Sequence, residues 1–305
     1  MTRREFLALG AVAPAAALAA RTGKMKLSCL PVSFFDAISH RKMPLEEWLD
    51  FAAELGLDGV ECGPLLVEPL GPVKPAAFRR LADARGLPVS NYTAYSDFSN
   101  PDEDAREREV EAALVNIRIA RELGAPSLRA LTGQQRPGVE PAQGIAWVVD
   151  SIRRVAEAAD KAGVRVNVEN HTKAFTWTRF DFAIKSAVFL QVIDGLKDAP
   201  VGVQFDVCNP LVADEDPLAL YEQVKSRIGY VHLNDAARRG VFEFVPVGSG
   251  IAPVRELLRR LARQGYNGWV SVEEQSRTGK DGFLRGVRYA RQALREAADS
   301  HQEPG

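Results

Sequence analysis

Residues 164–171 read VRVNVENH. Val164, Val166 and Val168 alternate with Arg165 and Asn167, a β-branched, period-two pattern that predicts a strand. The strand runs directly into Glu169, Asn170 and His171. A carboxylate, a carboxamide and an imidazole are costly inside an enclosed parallel strand. They are tolerated at its carboxyl end, where loops and a ligand meet them. Three later runs end the same way. VGVQFD (201–206) stops at Asp206, GYVHLND (229–235) carries His232 and Asp235, and WVSVEE (269–274) stops at Glu273 and Glu274.

Outward from these runs, strand-like and helix-like stretches alternate from residue 25 to residue 298. KLSCLPVSFF (26–35), GVECG (59–63, ending at Glu61), PVSNYTAYS (88–96) and SLRALTG (127–133, carrying Arg129) complete the strands. Helices are expected at 44–56, 75–86, 102–124, 140–163, 180–197, 214–227, 253–265 and 281–298. Several open on proline and close on glycine, as Pro44 with Gly56 and Pro75 with Gly86 do. No linker rich in proline, glycine or serine divides the chain, and alternation of this kind builds a parallel sheet. Eight strand–helix units at this length fit a closed (β/α)8 TIM barrel, one α/β domain over 25–298, with 299–305 as a tail. A doubly wound sheet would want a glycine fingerprint after the first strand, and none is present.

Bulk composition narrows the partners. The 305 residues are 46% hydrophobic and 26% charged, and 39 basic against 40 acidic residues leave a net charge of −1. No basic footprint for a nucleic acid exists. Cys29, Cys62 and Cys208 lie far apart inside strand-like runs, and three such residues describe small buried hydrophobes better than a stapled scaffold. Residues 1–20 differ from the rest. Arg3-Arg4 precedes the alanine-rich run ALGAVAPAAALAA (8–20), the pattern of a twin-arginine export signal cleaved near Ala19 or Ala20. The expectation is an exported, periplasmic protein with no stable membrane anchor, and self-association stays open.

In a barrel the strand ends share one mouth, so Glu169, Asp206, His232 and Glu273 should meet there. Crowded carboxylates repel, and a divalent cation removes that conflict. Carboxylate and imidazole ligands suit Mn²⁺, Mg²⁺, Co²⁺ or Zn²⁺ and leave room for two substrate oxygens.

The endings VEN-H, FD-x-x-N and VH-x-x-D, with PVGSG (246–250) and GYNGWVSVE (265–273), resemble the xylose-isomerase-like barrels, which include sugar isomerases and ketose 3-epimerases. The resemblance implies one divalent metal on Glu169, Asp206, His232 and Glu273, Glu273 being favoured over Glu274 by its spacing from Gly268. It implies a sugar substrate and an enediolate formed by proton removal beside a carbonyl, with Glu169 and Glu273 as acid and base. Asn170, His171, Asn209 and Asp235 are expected near the substrate, His171 equally as a packing residue. Glu61 is expected either to bind a hydroxyl or to form an ion pair, and Arg129 to hold a hydroxyl or carboxylate. Phe34, Phe35, Tyr92, Tyr95 and Trp177 are candidate stacking rings. Many relatives have histidine where this chain has Asn209 and lysine where it has Asn234, so the reaction cannot be copied from one member. A lyase or dehydratase acting on a keto-sugar starts with the same proton removal. A non-catalytic sugar-binding barrel is the reading from outside enzymology, while an abasic-site nuclease would need more than four histidines and a basic groove.

Overall fold

The computed structural model of the chain describes residues 24–299. The export signal expected at 1–20 lies outside the described residues. Eight strands form one parallel sheet: β1 Lys26–Leu30, β2 Val60–Cys62, β3 Val89–Tyr92, β4 Ser127–Ala130, β5 Arg165–Glu169, β6 Val201–Asp206, β7 Ile228–Leu233 and β8 Trp269–Glu273. Each pairs with its sequence neighbour from β2 through β8, and β8 pairs back on β1. The remaining seam, β1 to β2, carries no ladder. It is pinned by Asp58 N–H donating to the Leu27 carbonyl at 2.8 Å and Leu27 N–H donating to Asp58 Oδ2 at 2.8 Å. The barrel is thus nearly closed.

Among the described residues ten α-helices wrap it: α1 Phe35–Ser39, α2 Leu45–Glu54, α3 Pro75–Asp83, α4 Glu103–Leu123, α5 Pro141–Lys161, α6 Ser186–Gly195, α7 Asn209–Val212, α8 Pro217–Val224, α9 Val254–Arg263 and α10 Lys280–Asp299. Local chemistry explains their ends. Proline opens α3, α5 and α8, where its missing N–H costs nothing. Asp102 caps α4 by accepting the Ala105 N–H, and Gly124 ends it at φ 71°. The valines and leucines on the outer faces of the strands pack under the helices in one continuous core.

Three boundaries differ from the sequence expectation. The first strand stops at Leu30, and Phe34 and Phe35 belong to a helical turn. Residues 180–185 are loop, because Asp181 is tied to Thr132 and to the Ala183 N–H before α6 begins. The helix expected at 214–227 begins only at Pro217, as α8, and a short α7 over Asn209–Val212 precedes it, with Asp214 at φ 58° between the two. All three cysteines are free and buried.

The barrel interior is polar. Tyr230 Oη sits 3.0 Å from Ser28 Oγ and 2.8 Å from Ser90 Oγ, and Asn167, Gln204 and Ser271 are fully buried beside them. Gly202 and Gly229 make room for Asn167, since a Cβ on either would strike its Oδ1. Above this layer the carboxyl ends of β5 to β8 open into the mouth.

Candidate active site

Glu169 and Glu273 are the last residues of β5 and β8, Asp206 is the last of β6, and His232 lies one short of the end of β7. Parallel register sets Asp206 opposite His232 and His232 opposite Ser271. Alternation turns all four side chains inward. Each offers one ligand atom, and the four atoms lie within 4.8 Å of one another. All four residues are buried. Glu274, the alternative at the end of β8, is turned to the loop, where its Oε1 accepts the Ser276 N–H at 3.0 Å.

The charges here are only partly balanced by the protein. Burial and the carboxylates of Glu273 and Glu169 push the Asp206 carboxyl up to about 8. Burial alone would also raise Glu169, but Arg129 and His232 outweigh it and hold that carboxyl well below its ordinary range. Burial works against the imidazolium of His232, yet Glu61, Glu273 and Glu169 together raise it well above the usual histidine value. Glu169 Oε1 lies 2.9 Å from His232 Nδ1 without an aligned hydrogen-bond donor, an orphaned buried carboxylate oxygen. Three carboxylates and one imidazole, converging with an unpartnered oxygen among them, fit a divalent cation of the harder kind.

The surrounding groups hold these ligands in place. Glu61, at the end region of β2, receives His232 Nε2 at 2.9 Å and Asn91 Nδ2 at 2.9 Å, and the Thr93 hydroxyl as well. Of the two readings of Glu61, the structure has the ion pair; it leaves His232 Nδ1 facing the cluster. Asn234 Nδ2 donates to Glu273 Oε2 at 2.6 Å and, more weakly, to Asp206 Oδ2 at 3.4 Å. Arg129 reaches from β4, its Nη1 donating to Glu169 Oε2 at 2.7 Å and its Nε to the Ala94 carbonyl at 3.1 Å. Its Nη2 has no protein partner, and the guanidinium lies 4.9 Å from the Tyr95 ring centre.

Other expected contacts are engaged by backbone. Asn170 uses both ends of its amide on Asp206, accepting its N–H at 2.9 Å and donating to its carbonyl at 2.8 Å. Asn209 Nδ2 donates to the Asn170 carbonyl at 3.0 Å. Asp235 accepts from the N–H groups of Ala236, Gly248, Gly250 and Ala252 at 2.8–3.0 Å, so it organises the glycine loop. His171 Nδ1 stands 3.7 Å from the buried Asp181 Oδ2, and its ring meets Trp177 edge-on. Tyr92 is buried, and Phe34 packs on Trp48 and Phe283 away from the mouth. Thr93, Gln204 and Asp181 escaped the sequence reading, and Asn91 was placed only as a strand-end residue, since a lone polar side chain carries no spacing signal. Their long-range partners lie 28 to 113 residues away, in pairs such as Gln204–His232 and Asn91–Gln204.

Among curated proteins, the chain is 23% identical over 266 residues to the fructoselysine 3-epimerase of Shigella flexneri, covering 84% of this chain and 92% of that one. Among solved structures, an L-ribulose 3-epimerase superposes with a TM-score of 0.76 at 17% identity, covering 92% and 100% of the two chains. A 3-keto-D-glucoside 4-epimerase from E. coli superposes at 0.68 with 19% identity, covering 90% and 100%. Residues 49–299 match the family model described as xylose isomerase-like TIM barrel. With eight parallel strands and this match across most of its length, the chain belongs to the xylose isomerase-like TIM barrel family.

Proposed function

We propose that this protein is a divalent-metal-dependent isomerase or epimerase of an unphosphorylated sugar, working by proton removal beside a carbonyl. The observation that carries the reading is the convergence of Glu169, Asp206, His232 and Glu273 within 4.8 Å. A cation bound there would draw together a hydroxyl and the neighbouring carbonyl oxygen and stabilise the negative charge left when the carbon between them loses its proton. Glu273 and Glu169 are the proton carriers of this scheme. They are unequal: Arg129 holds one oxygen of Glu169, so Glu273 is the better proton acceptor. Asn234 aims Glu273, and Glu61 keeps His232 in one ring orientation.

Two observations favour a neutral substrate. The N–H groups of the glycine loop at Gly248 and Gly250 are taken by Asp235 and cannot cradle a phosphate. The mouth already gathers Glu61, Glu169, Asp206 and Glu273 around one guanidinium and one imidazole. Residues 1–20 carry an export-signal pattern, and a reaction outside the cytoplasm, where sugar phosphates are scarce, belongs to the same reading.

The test is solvent deuterium uptake into a panel of free sugars and keto-sugars by the metal-loaded protein. Label at a carbon next to a carbonyl supports the reading; no label in any sugar overturns it. The engagement of Glu169 by Arg129 favours one further reading, a lyase or dehydratase, since elimination needs only a single free base. Release of an aglycone or water from a 3-keto-glycoside separates the two.

A further inference from the structure

Large apolar side chains left exposed are few among the described residues, and four of the six lie on two loops at the mouth. Phe175 and Phe180 follow β5, and Phe242 and Ile251 follow β7. The three phenyl rings are 56%, 39% and 46% exposed. Phe180 and Phe242 meet edge-on with centres 5.9 Å apart, so the two loops join across the end of β6. Phe244 extends the row, 5.1 Å from Phe242.

Phe175, on the same loop as Phe180, is continuous with the cluster below. Glu169 is bonded to Arg129, Arg129 lies over Tyr95, and Tyr95 meets Phe175 edge-on at 5.2 Å. One wall therefore climbs from a buried carboxylate to an exposed phenyl ring. Both loops are pinned. Asp181 ties the first through Thr132 and Ala183, and Gln134 Oε1 accepts the Thr178 N–H at 3.3 Å. Asp235 ties the second through four backbone N–H groups. Exposed phenyl rings on anchored loops are pre-organised to bind, because little side-chain freedom remains to be lost.

We propose that the rim of Phe175, Phe180 and Phe242 is a subsite for an apolar substituent on the sugar, so that the preferred substrates are aryl- or alkyl-substituted sugars such as keto-glycosides. This rests on the sugar-enzyme reading above and names its substrate class. A second copy of the chain is the weaker occupant. The three half-exposed rings offer on the order of 250 Å², against about 800 Å² per partner in a stable interface.

The experiment compares methyl and phenyl 3-keto-β-D-glucosides on the Mn²⁺-loaded protein, with binding read from tryptophan fluorescence and turnover from deuterium uptake. The phenyl glycoside is expected to bind about tenfold more tightly or better. Phe175→Ala combined with Phe242→Ala should bring the ratio to near one. Val115→Ala, an exposed valine on α4, should leave the ratio unchanged. Equal binding of the two glycosides, or an unchanged ratio in the double variant, overturns the subsite and leaves the sugar-enzyme reading standing. So does a dimer that splits when the rings are removed. Failure of both glycosides to bind, with no label taken up from any sugar, removes both readings together.

Discussion

Arg129 Nη1 stands 2.7 Å from Glu169 Oε2, and neither side chain reaches solvent. The contact makes the two glutamates of the mouth chemically different. It also leaves the pair interdependent, because a buried charge that loses its partner is costly. Arg129→Met should destabilise the protein by about 3 kcal/mol and abolish deuterium uptake. Adding Glu169→Gln should return part of the stability, and a double-mutant cycle by denaturant unfolding reads the coupling. Two strictly additive changes would mean that the pair carries no interaction.

The pH response of metal binding follows from the protonation of the metal-free cluster. Asp206, raised to about 8, and His232, raised well above its ordinary value, both hold protons in the metal-free protein near neutrality. Groups raised on folding stabilise the metal-free fold fully below their unfolded values, and that stability is lost as pH climbs through the folded ones. Cation binding displaces the same protons and therefore strengthens with pH. The gap in Tm between Mn²⁺-loaded and chelated protein should widen steadily from pH 5 to pH 8. A flat gap would contradict the assignment.

Glu61 should matter for the cation without touching it. Glu61→Gln removes the carboxylate that receives His232 Nε2 at 2.9 Å. Metal affinity is expected to fall about 10–100-fold with secondary structure intact, measured by competition with a fluorescent chelator. Unchanged affinity would show that the ring is held by packing alone.

Much of this was legible in the sequence because strand alternation and strand endings are local signals. The valines of 164–168 placed β5, and the spacing from Gly268 chose Glu273 over its neighbour, in line with the alternation along β8. The braces were not legible. Whether Glu61 would meet His232 or a substrate depends on β2 and β7 facing each other across the barrel, 171 residues apart. Asp235 lies two residues past the end of β7, close to the ligand His232 in sequence, and only the path of the loop over 246–252 turns it to backbone. Residues 180–185 imitate a helix through Phe180, Phe182 and Ala183, while the tie at Asp181 holds them as a bridge and a tight turn ahead of α6.

Asp235 supplies a stability prediction. Asp235→Ala strips the acceptor from four backbone N–H groups. At roughly 1 kcal/mol for each bond lost, the cost should be several kcal/mol, and Asp235→Asn should cost less. Hydrogen exchange localised to 246–252 would report the loosened loop; exchange spread evenly over the barrel would not fit.

The most direct measurement is the stoichiometry and affinity of Mn²⁺ in the purified protein and in Glu169→Gln, Asp206→Asn, His232→Gln and Glu273→Gln. One ion per chain, lost or weakened by about 100-fold or more in every variant, is the expected result. Four variants that bind Mn²⁺ as the parent does, or a parent whose melting ignores chelators, would contradict it.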